Sequence, residues 1–204
     1  VGASVPSTAT MVDLAALAGM EMDMAGGTGR NEFERAYQGA TWFATAACAR
    51  VKDVLRCNEI TFENVRVLGT MTWVATGVAR KSKAPGAKKM MPLAMRAPCV
   101  SVTGVAIDLR PLVASLATDG EGYHPKGGLF RGFKVPEGAA KSIVNAIAWE
   151  QRCATHDEVV LSVRDLAARH IGEARAAQIT GHSMRHVLPE VARALQIPKC
   201  QRDA

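Results

Sequence analysis

Cysteine is scarce in this 204-residue sequence, at Cys48, Cys57, Cys99, Cys153 and Cys200. The number is odd, the spacing is wide and no C-x-x-C occurs, which excludes a disulfide framework or a zinc cluster. Free thiols in a reducing, intracellular compartment are the expectation. Long apolar runs are missing too. Nothing approaches a transmembrane span, and no basic-then-apolar leader opens the chain, so neither a membrane protein nor a secreted one is expected. A nucleotide-binding signature is a third absence. Gly26-Gly-Thr-Gly-Arg30 lacks the Lys-Ser/Thr of a P-loop and no strand leads into it, so it reads as a linker. The chain starts at Val1 and stops at Gln-Arg-Asp-Ala204, where a new element looks to be starting, so a fragment of a longer protein is expected.

What is present is ordinary for a globular protein: 48% hydrophobic and 22% charged residues, in a chain long enough for one large domain or two small ones. The formal net charge of +6 favours an anionic partner, nucleic acid first and a membrane surface second.

An apolar patch at Met11–Met24 can form a short helix. Asn31 can cap a helix from Glu32 to about Cys48, with Phe33, Tyr37, Ala40, Ala44 and Ala47 on its buried face. A second short helix, Arg50–Arg56, sets Asp53 three residues after Arg50, where its carboxylate can orient the guanidinium. Ile60–Leu68, with a candidate turn at Glu63-Asn64, and Thr70–Ala79 read as strands. Pro85-Gly86 marks a turn, and Met90–Met95 reads as the returning strand of a small antiparallel sheet. Its hairpin tip carries Lys81, Lys83, Lys88 and Lys89, which suit either a solvated edge or contact with phosphates. Asp108–Ala117, Glu137–Arg152 and Val159–Ala177 read as helices, with Leu129-Phe130 as a short apolar anchor. On the Glu137–Arg152 helix, Ala140, Ile143, Val144, Ile147 and Ala148 would be buried.

The stretch Ile179–Leu195 organises the rest. Gly181 interrupts the element before it, Ser183 is a good N-cap, and Val187, Leu188, Val191 and Leu195 recur at helical spacing. Pro189 fits the first turn, so the helix should start close to His182. His182 and Arg185 share a face at that helix start, where free N–H groups and the helix dipole also favour an anion such as phosphate. H-x-x-R alone more often marks a plain surface helix.

Three stretches together resemble the catalytic domain of the tyrosine recombinases, the phage-integrase family. Ala47-Cys-Ala-Arg-Val-Lys-Asp-Val-Leu55 is similar to its first-arginine motif. Lys81–Leu93 is similar to the hairpin bearing its catalytic lysine, and Thr180-Gly-His-Ser-Met-Arg-His186 to its H-x-x-R-H signature. The resemblance covers about Glu32 to the end. It implies an α+β, mainly α, domain with a small three-stranded antiparallel sheet. Residues 1–31 would then be a linker or the remnant of an N-terminal region, and 32–204 a catalytic domain truncated at its C-terminus. It implies a site-specific recombinase or integrase, of the sort carried by mobile elements. Such an enzyme breaks and rejoins double-stranded DNA through a phosphotyrosyl intermediate, as a candidate homo-tetramer on DNA, in the nucleus or bacterial nucleoid. No metal and no small-molecule cofactor are implied.

By the same resemblance Arg50 and Arg185 hold the scissile phosphate. His182 donates to it or exchanges a proton, and Lys83, with Lys81 as alternate, protonates the leaving 5′-oxygen. Asp53 and His186 support these residues, and Lys81, Lys88 and Lys89 contact DNA. Two guanidinium forks stabilising a five-coordinate phosphate is sound chemistry. The chain departs from the pattern at Cys48-Ala49, where Thr-Gly-Leu is usual. It also has no tyrosine after the H-x-x-R helix: its two are Tyr37 and Tyr123. Cleavage by the chain alone is therefore not expected. A non-catalytic DNA-binding relic of the same fold and an unrelated basic α+β protein are the other readings.

Overall fold

Helix α2 (Glu32–Ala46) is the element on which the others pack. The structure is a computed structural model that describes residues 12–26, 31–67, 69–82, 90–99 and 129–198. Asn31 opens α2 by accepting the Glu34 N–H at 2.8 Å, as the sequence predicts. Tyr37, Ala40, Trp42, Phe43 and Ala44 are all buried, so α2 is covered nearly all round and not on one face only. Its end is a Schellman motif. The Cys48 N–H donates to the Thr45 carbonyl and the Ala49 N–H to the Ala44 carbonyl, with Cys48 in the left-handed region at φ 50°.

Helix α1 (Leu14–Gly26) lies across α2 and α4 (His156–Ile171), with Ala16, Leu17, Met20 and Met24 in the common core. Gly19 sits under the His170 ring, where a Cβ would come within 2.3 Å of the imidazole. His170 Nε2 and Asp23 Oδ2 are 3.0 Å apart, and Asp13 pairs with Arg175. Within the stretch expected to be a linker or remnant, Leu14–Gly26 thus shares one core with α2 and α4.

Three antiparallel strands, β1 (Cys57–Val67), β2 (Thr70–Ser82) and β3 (Met90–Pro98), form a sheet in the order β1-β2-β3. The protein is α+β, as expected. No turn interrupts β1 at Glu63-Asn64, which pair in register with Val74 and Trp73; the reversal comes at Gly69, φ 86°. Gly77 lets the sheet close on α2, since a Cβ there would lie 2.8 Å from Cys57 Sγ and 3.0 Å from Phe43 Cζ.

The expected helix over 137–152 does not form. Pro136–Ala139 turn, Gly138 takes φ 78°, and Ile143–Asn145 is one turn of 3-10 helix. Ala148–Cys153 is then strand β5, paired antiparallel with β4 (Arg131–Lys134). Ile143 is buried but Ile147 is 62% exposed, so the apolar spacing that read as a helix face serves two separate elements. Leu129 and Phe130 are buried, as predicted.

Thr155 and Glu158 form a capping box at the start of α4. The helix stops at Gly172, φ 78°, short of the expected Ala177, and α5 (Glu173–Ala176) is a single turn. The last helix is α6 (Ser183–Ala194). His182, not Ser183, holds its N-cap position. The Ser183 hydroxyl is turned back to accept the Thr180 N–H at 2.8 Å. Pro189 stands well inside α6, not in its first turn. Met184 and Val187 are the fully buried contacts of α6, while Leu195, expected on the buried face, is 68% exposed. The expected helix at 108–117 lies outside the described residues.

Candidate functional site

The Schellman turn that ends α2 sets the direction of the next residues. Arg50 comes after it in extended conformation (φ −79°, ψ 146°) and is the N-cap residue of α3 (Val51–Val54). Its carbonyl accepts the N–H groups of Asp53 and Val54, at 2.9 and 3.1 Å. That fixes the backbone of Arg50 and leaves its side chain exposed. Val51 and Val54 are buried beneath it, and each such side chain contributes about 1.5–3 kcal/mol to holding the turn.

From the other end of the chain, α6 packs on α2. With Met184 and Val187 inward, helical geometry sends His182 and Arg185 outward together. The approach to α6 is pinned: Arg164 Nε donates to the Ile179 carbonyl at 2.8 Å, and Thr180 and Ser183 bond each other's backbone.

These two constructions meet. A hollow of about 270 Å³ is lined by Arg50 and Asp53, by Arg185, by Ala94 and Met95 of β3 and by the Ala47–Ala49 turn. Asp53 is buried, at 7% exposure. The Cys48 thiol faces the same place. Burial pushes its pKa above the ordinary thiol value, and the nearby Arg185 charge partly offsets this. A second hollow of about 200 Å³ adjoins the first through Arg50 and Asp53. Lys52, Arg56, His156, Gly181 and His182 complete it. Arg50, Asp53 and Arg185 thus line the first hollow, and Arg50, Asp53 and His182 the second. A concavity lined by two arginines has the charge to take a phosphate.

Other candidates fall elsewhere. His186 is half-buried on α6 and lines neither hollow. The backbone of Lys81 lies in β2 opposite Met91. Lys83, Lys88 and Lys89 lie outside the described residues, as does Tyr123. Tyr37 is 1% exposed and its hydroxyl donates to the Arg131 carbonyl at 2.8 Å, so it is committed to the core.

His156 and its neighbours Lys52 and Arg56 were not singled out from the sequence. The available signal was Thr155-x-x-Glu158, a capping box that puts His156 at the first position of a helix. No helix among the described residues is long and apolar enough to cross a membrane.

No protein-family model matches the chain, and no curated protein matches it. Among solved structures, "FLP Recombinase-Holliday Junction Complex I" is similar in backbone, with a TM-score of 0.47 and 13% identity. The match covers 89% of this chain and 39% of that one, so the chain spans about two fifths of its length.

Proposed function

We propose that this chain is the phosphate-gripping part of a DNA strand-transfer protein of the tyrosine-recombinase kind, acting on double-stranded DNA inside the cell. The observation that carries the reading is that Arg50 and Arg185, one early and one late in the sequence, line a single hollow. Each guanidinium offers two parallel N–H donors to phosphate oxygens, and the pair would offset the extra charge of a five-coordinate phosphorus. Asp53, buried behind Arg50, would hold that fork in orientation. His182 would donate to a further oxygen. The leaving 5′-oxygen would take its proton from a lysine of the β2–β3 connection, Lys83 by resemblance. That connection leaves the sheet whose Ala94 and Met95 wall the hollow. The nucleophilic tyrosine would have to come from outside the residues described, because Tyr37 is committed to the core.

The test is binding of a short duplex, read by fluorescence anisotropy. Arg50→Ala and Arg185→Ala should each weaken binding by about ten- to a hundredfold, the scale of a lost charged hydrogen bond, with unchanged melting temperature. Wild-type affinity should fall steeply with salt. Full affinity in both variants would overturn the proposal. The commitment of Tyr37 also favours a second reading, DNA binding without strand breakage. A nicked-duplex assay separates the two: a covalent protein–DNA adduct requires the tyrosine, and binding without adduct supports the second.

A further inference from the structure

The second hollow asks for a ligand of its own. Three permanent cations, Arg50, Lys52 and Arg56, face it against one carboxylate, Asp53. Two imidazoles complete the ring, His182 ahead of α6 and His156 at the start of α4. The placement of His156 is specific. Its Nδ1 lies 3.3 Å from Oδ1 of Asp157, whose side chain is fully exposed, and its Nε2 edge rests over Gly181. A Cβ at Gly181 would lie 2.1 Å from Nε2, so only glycine leaves the ring where it is. An excess of cations, with two imidazoles beside them, suits an anion the size of a phosphate.

The geometry points to a second phosphate seat, made by Lys52, Arg56 and His156. It shares Arg50 with the first, so that neighbouring phosphates of one DNA strand sit on either side of that guanidinium. This rests on the DNA reading above. His156 would be a binding residue of the second seat and take no part at the reacting phosphate. The groups facing it are Arg50, Lys52, Asp53 and Arg56 from α3 and its flanks, Asp157 on α4, and His182.

The experiment is anisotropy with the whole chain and a short duplex of arbitrary sequence, titrated with salt. His156→Phe keeps a ring over Gly181 and removes the donor. It should lower affinity about tenfold, and Lys52→Ala and Arg56→Ala should each reduce the slope of log affinity against log salt by about 0.9, one phosphate contact. If His156→Phe melts below wild type, His156→Gln, read the same way, supplies the answer. Wild-type affinity in these variants and a wild-type slope in Lys52→Ala and Arg56→Ala, with Arg185→Ala still weakened, would overturn the second seat alone. Wild-type protein without salt-dependent DNA binding would remove the DNA reading itself, before any variant is considered.

Discussion

Cys48 joins backbone geometry to the chemistry of the hollow. A non-glycine residue in the left-handed region costs about 1–2 kcal/mol, and here the Schellman closure holds it. Sequence could show that Cys48-Ala49 departs from the family pattern. It could not show the conformation, because φ at this position is imposed by how α2 ends against α3. Cys48→Gly should keep the fold and raise stability by about 1 kcal/mol, read from the denaturation midpoint. Alkylation of Cys48 should be slow at neutral pH, quicken as pH rises, and slow again when DNA fills the hollow. In Arg185→Ala the thiol loses a neighbouring positive charge, so alkylation at a given pH should fall further, measured by peptide mapping in mass spectrometry. Cys153 serves as the internal control. Burial pushes its pKa up to about 11, and its thiol faces the Leu55 and Phe130 carbonyls. It should stay unmodified throughout.

Among the elements, those with a local signature were legible. Asn31 and the Thr155/Glu158 pair announce α2 and α4, and alternating β-formers announce β1 and β2. The 137–152 segment was not legible, because apolar residues at helical spacing are equally consistent with a turn and then a strand. The deciding interactions are distant in sequence. Phe133 pairs in register with Trp149, and Trp149 stacks on Phe33 of α2 with centroids 4.7 Å apart. Strand β5 is further tied to α4 through Arg152, whose two terminal nitrogens donate to Glu158 at 2.8 and 2.7 Å, with Lys141 3.7 Å from the same carboxylate. Burial acts to raise the Glu158 pKa, but Arg152, the Thr155 N–H and Lys141 together hold it below the ordinary carboxylate value. A carboxylate so depressed stabilises the fold fully at neutral pH and loses that contribution as pH falls through and below the ordinary carboxylate range. Arg152→Ala should cost about 1–3 kcal/mol at neutral pH, with the difference from wild type narrowing in acid, measured by denaturant unfolding across pH.

At the scale of the molecule, one hydrophobic core joins α1, α2, α4, α6 and both sheets. The meeting of Arg50 and Arg185 was legible only through resemblance, since nothing local links the two. The second hollow was not, because it depends on α3, α4 and the Gly181 turn arriving at one place. Helix α1 was legible as the apolar patch at Met11–Met24, but its packing was not, because its partners on α4 lie far along the chain. Removing residues 1–26 would expose the surfaces that Leu17, Met20 and Met24 cover, at about 1.5–3 kcal/mol each, a large share of a typical domain's roughly 5–15 kcal/mol. The truncated chain should lose its cooperative melting transition, seen by circular dichroism. The partners of α1 set a further condition. Asp23 waits for His170, 147 residues later, and Asp13 for Arg175, 162 residues later. At roughly 5–20 residues per second on the ribosome, α1 stands without these partners for roughly seven to thirty seconds. During synthesis its oily side is bare until α4 and α5 emerge, an exposure that invites chaperone cover.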